Sequence, residues 1–73
     1  MDVTTRLARR LKSLREAQGW SLEALAERSG VSRSNISLIE RGQSSPTATV
    51  LDKLSAGLGV TLASLFEEPA AGA

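Results

Sequence analysis

Leucines at 7, 11 and 14, with Ala8 beside them and Ala17 near the end, form an i, i+4, i+7 stripe through a segment otherwise rich in charge. That spacing predicts a helix over residues 4–18, closed by Gln18-Gly19. Leu22, Leu25 and Ala26 repeat the pattern after Ser21, whose hydroxyl can accept from the open N–H groups of a first turn. Gly30 reads as the residue just past that helix, in the left-handed region where a Cβ is penalised. Val31 beyond it supplies the hydrophobic contact of a Schellman stop. Ser32 offers another N-cap at once, and Ile36 and Ile39 resume the apolar spacing. Two short helices thus flank Ser29-Gly30-Val31, too close together for anything but a sharp turn. Further on, Pro46 rules out a helix through it, and Thr47 caps a fourth whose stripe is Val50, Leu51, Leu54 and Leu58. Gly57-Leu58-Gly59-Val60 closes that helix, and Thr61 caps a last short one whose Leu62, Leu65 and Phe66 return to the core. The predicted fold class is all-α.

Helix, glycine turn, helix is the layout of a helix-turn-helix. At about 100° per residue, Arg33, Ser34, Ser37, Leu38 and Arg41 fall within an arc of roughly 140° on its second helix. Asn35, Ile36, Ile39 and Glu40 occupy the opposite arc. One face is isoleucine bound for a core; the other carries arginine, serine and a single leucine. Small hydroxyls let a helix approach another surface closely. Arginine at its N-terminal end can fork onto guanine O6 and N7, and Leu38 can rest on a thymine methyl. The bland reading of the same face is a solvated helix with a stray leucine.

Residues 20–43, and in particular Leu25-Ala26-Glu27, Gly30-Val31-Ser32 and Ile39-Glu40-Arg41-Gly42, followed by Pro46 and Leu58-Gly59-Val60, resemble the Xre/Cro-type helix-turn-helix family, the lambda-repressor-like DNA-binding domains. The likeness runs from about Leu7 to Phe66. It implies a compact five-helix domain, with the motif at 21–41, that binds double-stranded operator DNA as a homodimer. It implies too that the third helix, about residues 32–41, enters the major groove. Arg33, Ser34, Ser37 and Leu38 would then face base edges, while Ser21, Ser32, Asn35, Arg41 and Gln43 hold the backbone. In the family an arginine of helix one pairs with the glutamate of the Ile-Glu-Arg-Gly motif, which here makes Arg15 and Glu40 a structural pair. Where the family often has Gln or Thr, this chain has Leu22, so no side-chain contact is carried over to it.

Composition narrows the alternatives. A chain of 73 residues accommodates one small domain, assigned to 1–68. With no cysteine and no histidine, disulfides, a thiolate or histidine zinc site and a histidine-based triad are excluded. No apolar run approaches the roughly 20 residues of a membrane span, and the start lacks a signal-peptide core. The expectation is a cytoplasmic protein, of bacterial type and nucleoid-associated when bound, with no cofactor and no enzymatic role. The net charge of +1 is unevenly placed: through Arg41 there are eight basic and five acidic residues, and from Gly42 onward one basic and three acidic. The basic bias therefore shares a half with the motif.

The remaining residues read as structural. Trp20 is expected to lid the core ahead of Ser21, as a hydrophobic staple. Glu23 and Glu27 share the outer face of the second helix with no nucleophile or metal partner nearby, and Arg28, Arg6, Arg9 and Lys12 are read as solvated. Leu62 and Phe66 are alternatively candidates for a dimer seam. Pro69-Ala-Ala-Gly-Ala has linker composition, so 69–73 is read as a tail, or as the start of a linker to a downstream sensor domain. The expected function is a sequence-specific DNA-binding transcriptional regulator, in the repressor mode. The alternatives are an antitoxin of the same fold, or a helical protein-interaction module without DNA binding.

Overall fold

Asp2 opens the first helix: its carboxylate accepts the Thr5 N–H at 2.8 Å, and α1 runs Val3–Ala17. Leucine spacing predicts a start at residue 4. The cap moves it one residue earlier, because it satisfies an open N–H that apolar periodicity does not register. The chain then forms α2 (Leu22–Ser29), α3 (Arg33–Glu40), α4 (Ala48–Leu58) and a 3₁₀ turn (Ala63–Phe66). The computed structural model describes residues 2–67, and among these there is no strand. The expected tail at 69–73 and the domain's end at 68 lie outside the described residues. Among the described residues, no helix is long and apolar enough to cross a membrane.

Three hydroxyls start the later helices. Ser21 Oγ accepts the Ala24 N–H at 3.1 Å, Ser32 Oγ the Asn35 N–H at 3.1 Å, and Thr47 Oγ1 the Val50 N–H at 3.2 Å. Every element then delivers at least one completely buried side chain to a common core: Leu11, Leu25, Ile36 and Ile39, Leu54, and Leu65. Each such side chain contributes about 1.5–3 kcal/mol on leaving water. Leu7, Val31 and Leu58 complete the core, with Leu14, Trp20, Leu22, Val50 and Leu51 packed at its edge. Helix α2 lies against α3 and α4, and α1 lies against α3 and the 3₁₀ turn.

The α2–α4 approach is set by Gly57. A Cβ built there would stand 2.8 Å from Ser29 Cα and 3.0 Å from Ser29 N. Only a residue without a side chain lets the two backbones come this close.

The fifth helix of the expected five is not an α-helix. Residues 63–66 make a single 3₁₀ turn, with Ser64 N–H on Thr61 O at 3.0 Å and Leu65 N–H on Leu62 O at 3.1 Å. Thr61 does cap it, its Oγ1 accepting the Ser64 N–H at 3.2 Å. Two arginines of α1 fix its carbonyls. Arg10 Nε donates to Ser64 O at 2.9 Å and Arg6 Nη2 to Phe66 O at 3.0 Å, so the turn is anchored rather than continued as a helix. Of the large apolar side chains at this end of the chain, Leu62, Leu65 and Phe66, only Leu65 reaches the core; Leu62, just ahead of the turn, and Phe66 are exposed. Arg6 is correspondingly half-buried and bonded, not solvated as its place among charges suggests.

Candidate nucleic-acid interface

The turn between α2 and α3 determines where α3 points. Gly30 adopts φ 76° and its N–H donates to Ala26 O at 2.9 Å, closing α2 in the left-handed conformation. The full Schellman arrangement expected here does not form. Val31 N–H donates instead to Ser29 Oγ at 3.1 Å, a buried hydroxyl two residues back. Val31 itself is buried, so the chain is pinned before Ser32 caps α3.

Pinned in this way, α3 buries Ile36 and Ile39, at 0% and 1% exposure, and turns its other side outward. Arg33, Ser34 and Leu38 are exposed and Ser37 is half-buried between them. Arg41 is exposed at the far end, its Nε on Ser37 O at 3.3 Å, which leaves its two terminal nitrogens without a bond among the described residues. Ser21 and Ser32 use their oxygens as acceptors in the caps, so each hydroxyl hydrogen can still be donated outward. Asn35 is half-buried and its backbone N–H is taken by Ser32. Gln43 is exposed; its N–H closes α3 on Leu38 O at 2.9 Å and its side chain is left to the surface.

Behind this face lies an ion pair. Arg15 Nε donates to Glu40 Oε2 at 2.8 Å and Nη2 to Oε1 at 2.9 Å, while Nη1 donates to Trp20 O at 2.8 Å. The hydrogen bond to Glu40, followed by its charge, raises the Arg15 guanidinium above its ordinary range despite the opposing cost of burial. One arginine thus binds the last turn of α3 to α1 and to the chain entering α2. Trp20 is half-buried at the core edge, and the Arg28 guanidinium lies over its ring, 4.3 Å from the centroid. Arg28 is therefore stacked rather than merely solvated.

Sequence reasoning missed the roles of Arg6, Arg10 and Arg28. A usable signal was present for Arg10, which stands three residues from Leu7 and four from Leu14, on the flank of the buried stripe. Nothing local marks Arg28, since its ring partner is eight residues away across the start of α2.

An exposed polar face on a short helix, held by a glycine turn and backed by buried isoleucines, is the geometry of a DNA-reading motif. A family model described as helix-turn-helix matches residues 11–65. The chain belongs to the helix-turn-helix family. Within the family it is 44% identical over 63 residues to the HTH-type transcriptional regulator SutR of Escherichia coli (strain K12), covering 86% of this chain and 35% of that one. It is 41% identical over 63 residues to the HTH-type transcriptional regulator SinR of Bacillus subtilis (strain 168), covering 85% and 57%. The chain therefore spans about a third to somewhat over half the length of these helix-turn-helix relatives. Its fold matches the crystal structure of an HTH_3 family transcriptional regulator from Vibrio cholerae with a TM-score of 0.85 and 41% identity, over 88% of this chain and 36% of that one.

Proposed function

We propose that this chain is the sequence-specific DNA-binding domain of a transcriptional regulator, with α3 seated in the major groove. The observation that carries the reading is the division of α3 into a buried isoleucine side and an outward side of Arg33, Ser34, Ser37 and Leu38. Arg33 and Ser34, in the first turn, stand foremost at base edges; Ser37 and Leu38 act further along the helix. Arg33 supplies the forked donor that guanine O6 and N7 accept. Ser21, Ser32, Asn35, Arg41 and Gln43 hold phosphates, contacts that set the register without reading sequence.

Two copies act together. Half-sites lie about 34 Å apart along B-DNA. The longest dimension of the described residues is 30 Å, so one domain covers one half-site. A second copy is supported by Val3, Leu62 and Phe66, exposed apolar groups on or beside the two elements that Arg6 and Arg10 tie together and none of them on α3. Repression from a cytoplasmic, nucleoid-bound pool is the mode the family resemblance implies; the names of the relatives, HTH-type transcriptional regulators, support a role in transcription regulation.

Selection of bound duplexes from a random DNA pool, followed by a salt titration of affinity, tests the proposal. A single enriched motif with a steep negative dependence on salt is expected. Enrichment of no sequence, or binding insensitive to salt, would overturn it.

A further inference from the structure

Four large apolar side chains are exposed among the described residues: Val3, Leu38, Leu62 and Phe66. Three lie at the start of α1 or at the 3₁₀ turn, Leu62 just ahead of it, and Arg6 and Arg10 join these two elements. Leu38 stands apart from them, 37% exposed on the outward side of α3. Its helix neighbours three and four residues away are Asn35 and Ser34 before it and Arg41 and Gly42 after it, none of them apolar. The end of α3 gives it no partner either. Gln43 N–H bonds to Leu38 O at 2.9 Å and Gly42 N–H to Ile39 O at 3.0 Å, a Schellman ending. The residue that would ordinarily make a hydrophobic contact with Leu38 in such an ending is Gln43, which is polar.

Base edges in the major groove are polar donors and acceptors except at C5 of the pyrimidines, where thymine carries a methyl and cytosine only a C–H that offers a leucine less to pack on. Pressed on any other edge, a leucine would strip water from a donor or acceptor and return no hydrogen bond. We propose that Leu38 makes this domain a reader of the pyrimidine 5-methyl group: it discriminates thymine from uracil at one position per half-site, and accepts 5-methylcytosine there over cytosine. The inference rests on the DNA-binding reading and adds to it a chemical group rather than a sequence.

The probes are duplexes recovered from the random-pool selection, remade with each thymine replaced singly by deoxyuridine. At one thymine per half-site, removing the methyl is expected to weaken the natural chain roughly three- to fivefold, the effect of one buried carbon group. The Leu38→Ala variant should bind both forms of that duplex equally. With that base pair changed to cytosine–guanine, 5-methylation of the cytosine should restore a similar factor to the natural chain and nothing to Leu38→Ala. Tight selected binding in which every deoxyuridine is tolerated, or a loss that Leu38→Ala shares in full, overturns the role of Leu38 and leaves DNA binding standing. A selection that enriches nothing overturns both.

Discussion

Arg15 and Glu40, 25 residues apart in the chain, meet through two parallel hydrogen bonds of 2.8 and 2.9 Å at the junction of α1 and α3. The side chains retain 13% and 6% of their exposure, so water screens the pair little. Removing one partner leaves the other charge stranded, which is where most of the energetic consequence lies. Glu40→Ala leaves Arg15 only its bond to Trp20 O. The expected loss is about 3 kcal/mol of unfolding free energy. Glu40→Gln, which keeps one acceptor, should lose less. Urea denaturation of the three proteins measures this; an unaltered midpoint in Glu40→Ala would show that the pair does not hold α3 in place.

Gly57→Ala should destabilise the domain although alanine is the better helix former. Propensity favours the substitution by about 1 kcal/mol. Against it, the new Cβ would sit 2.8 Å from Ser29 Cα, a backbone atom that cannot rotate aside, so α2 and α4 must separate. Overpacking of this kind costs about 1–3 kcal/mol, and the expected net effect is a lower melting temperature. Ser29→Gly should not rescue it, because Ser29 Cα and N, at 2.8 and 3.0 Å, are both backbone. A stabilised Gly57→Ala protein would show that the helices yield at that crossing.

What the sequence makes legible is local. Ser21, Ser32 and Thr47 announce helix starts because capping depends on a hydroxyl and the three residues after it. The burial of Ile36 and Ile39 follows from helical spacing. The outward side of α3 is the complement of that spacing, so the positions of Arg33, Ser34 and Leu38 were legible by the same argument. Long-range bonds were not. The 3₁₀ turn depends on Arg6 and Arg10, some 60 and 54 residues away, and spacing within Thr61–Phe66 cannot reveal them. Gly57 looked like part of a helix stop, whereas its closest neighbour is Ser29 in another helix.

Acid should find a weak point at Asp2. The Thr5 N–H, bonded to the carboxylate, holds its pKa below the ordinary 3.8 in the folded chain. A group with a depressed folded pKa contributes stability above its unfolded pKa and loses that contribution as pH falls through the folded value. Asp2→Asn keeps an acceptor for the same N–H but does not titrate. Between about pH 6 and pH 3, the natural chain should therefore lose more melting temperature than Asp2→Asn, the other carboxylates titrating alike in both. Parallel melting curves across that range would show that the charge of Asp2 adds nothing to its cap.

Arg33 and Arg41 offer the sharpest division of labour on the outward side of α3. Arg33 is exposed in the first turn with no hydrogen-bond partner among the described residues, so its whole fork is available to a base edge. Arg41 is held at the helix end by its Nε on Ser37 O, which leaves its terminal nitrogens for a phosphate rather than for reach into the groove. Arg33→Ala should cost about 1–3 kcal/mol on the selected site and relax preference at one base pair. Arg41→Ala should weaken selected and scrambled duplexes by similar factors and lower the slope of log affinity against log salt by about one. Titrations of both variants on both duplexes at several salt concentrations separate the two roles. If Arg33→Ala discriminates between the duplexes as well as the natural chain does, base reading belongs to other residues of α3; if Arg41→Ala leaves the salt slope unchanged, its guanidinium does not touch the backbone.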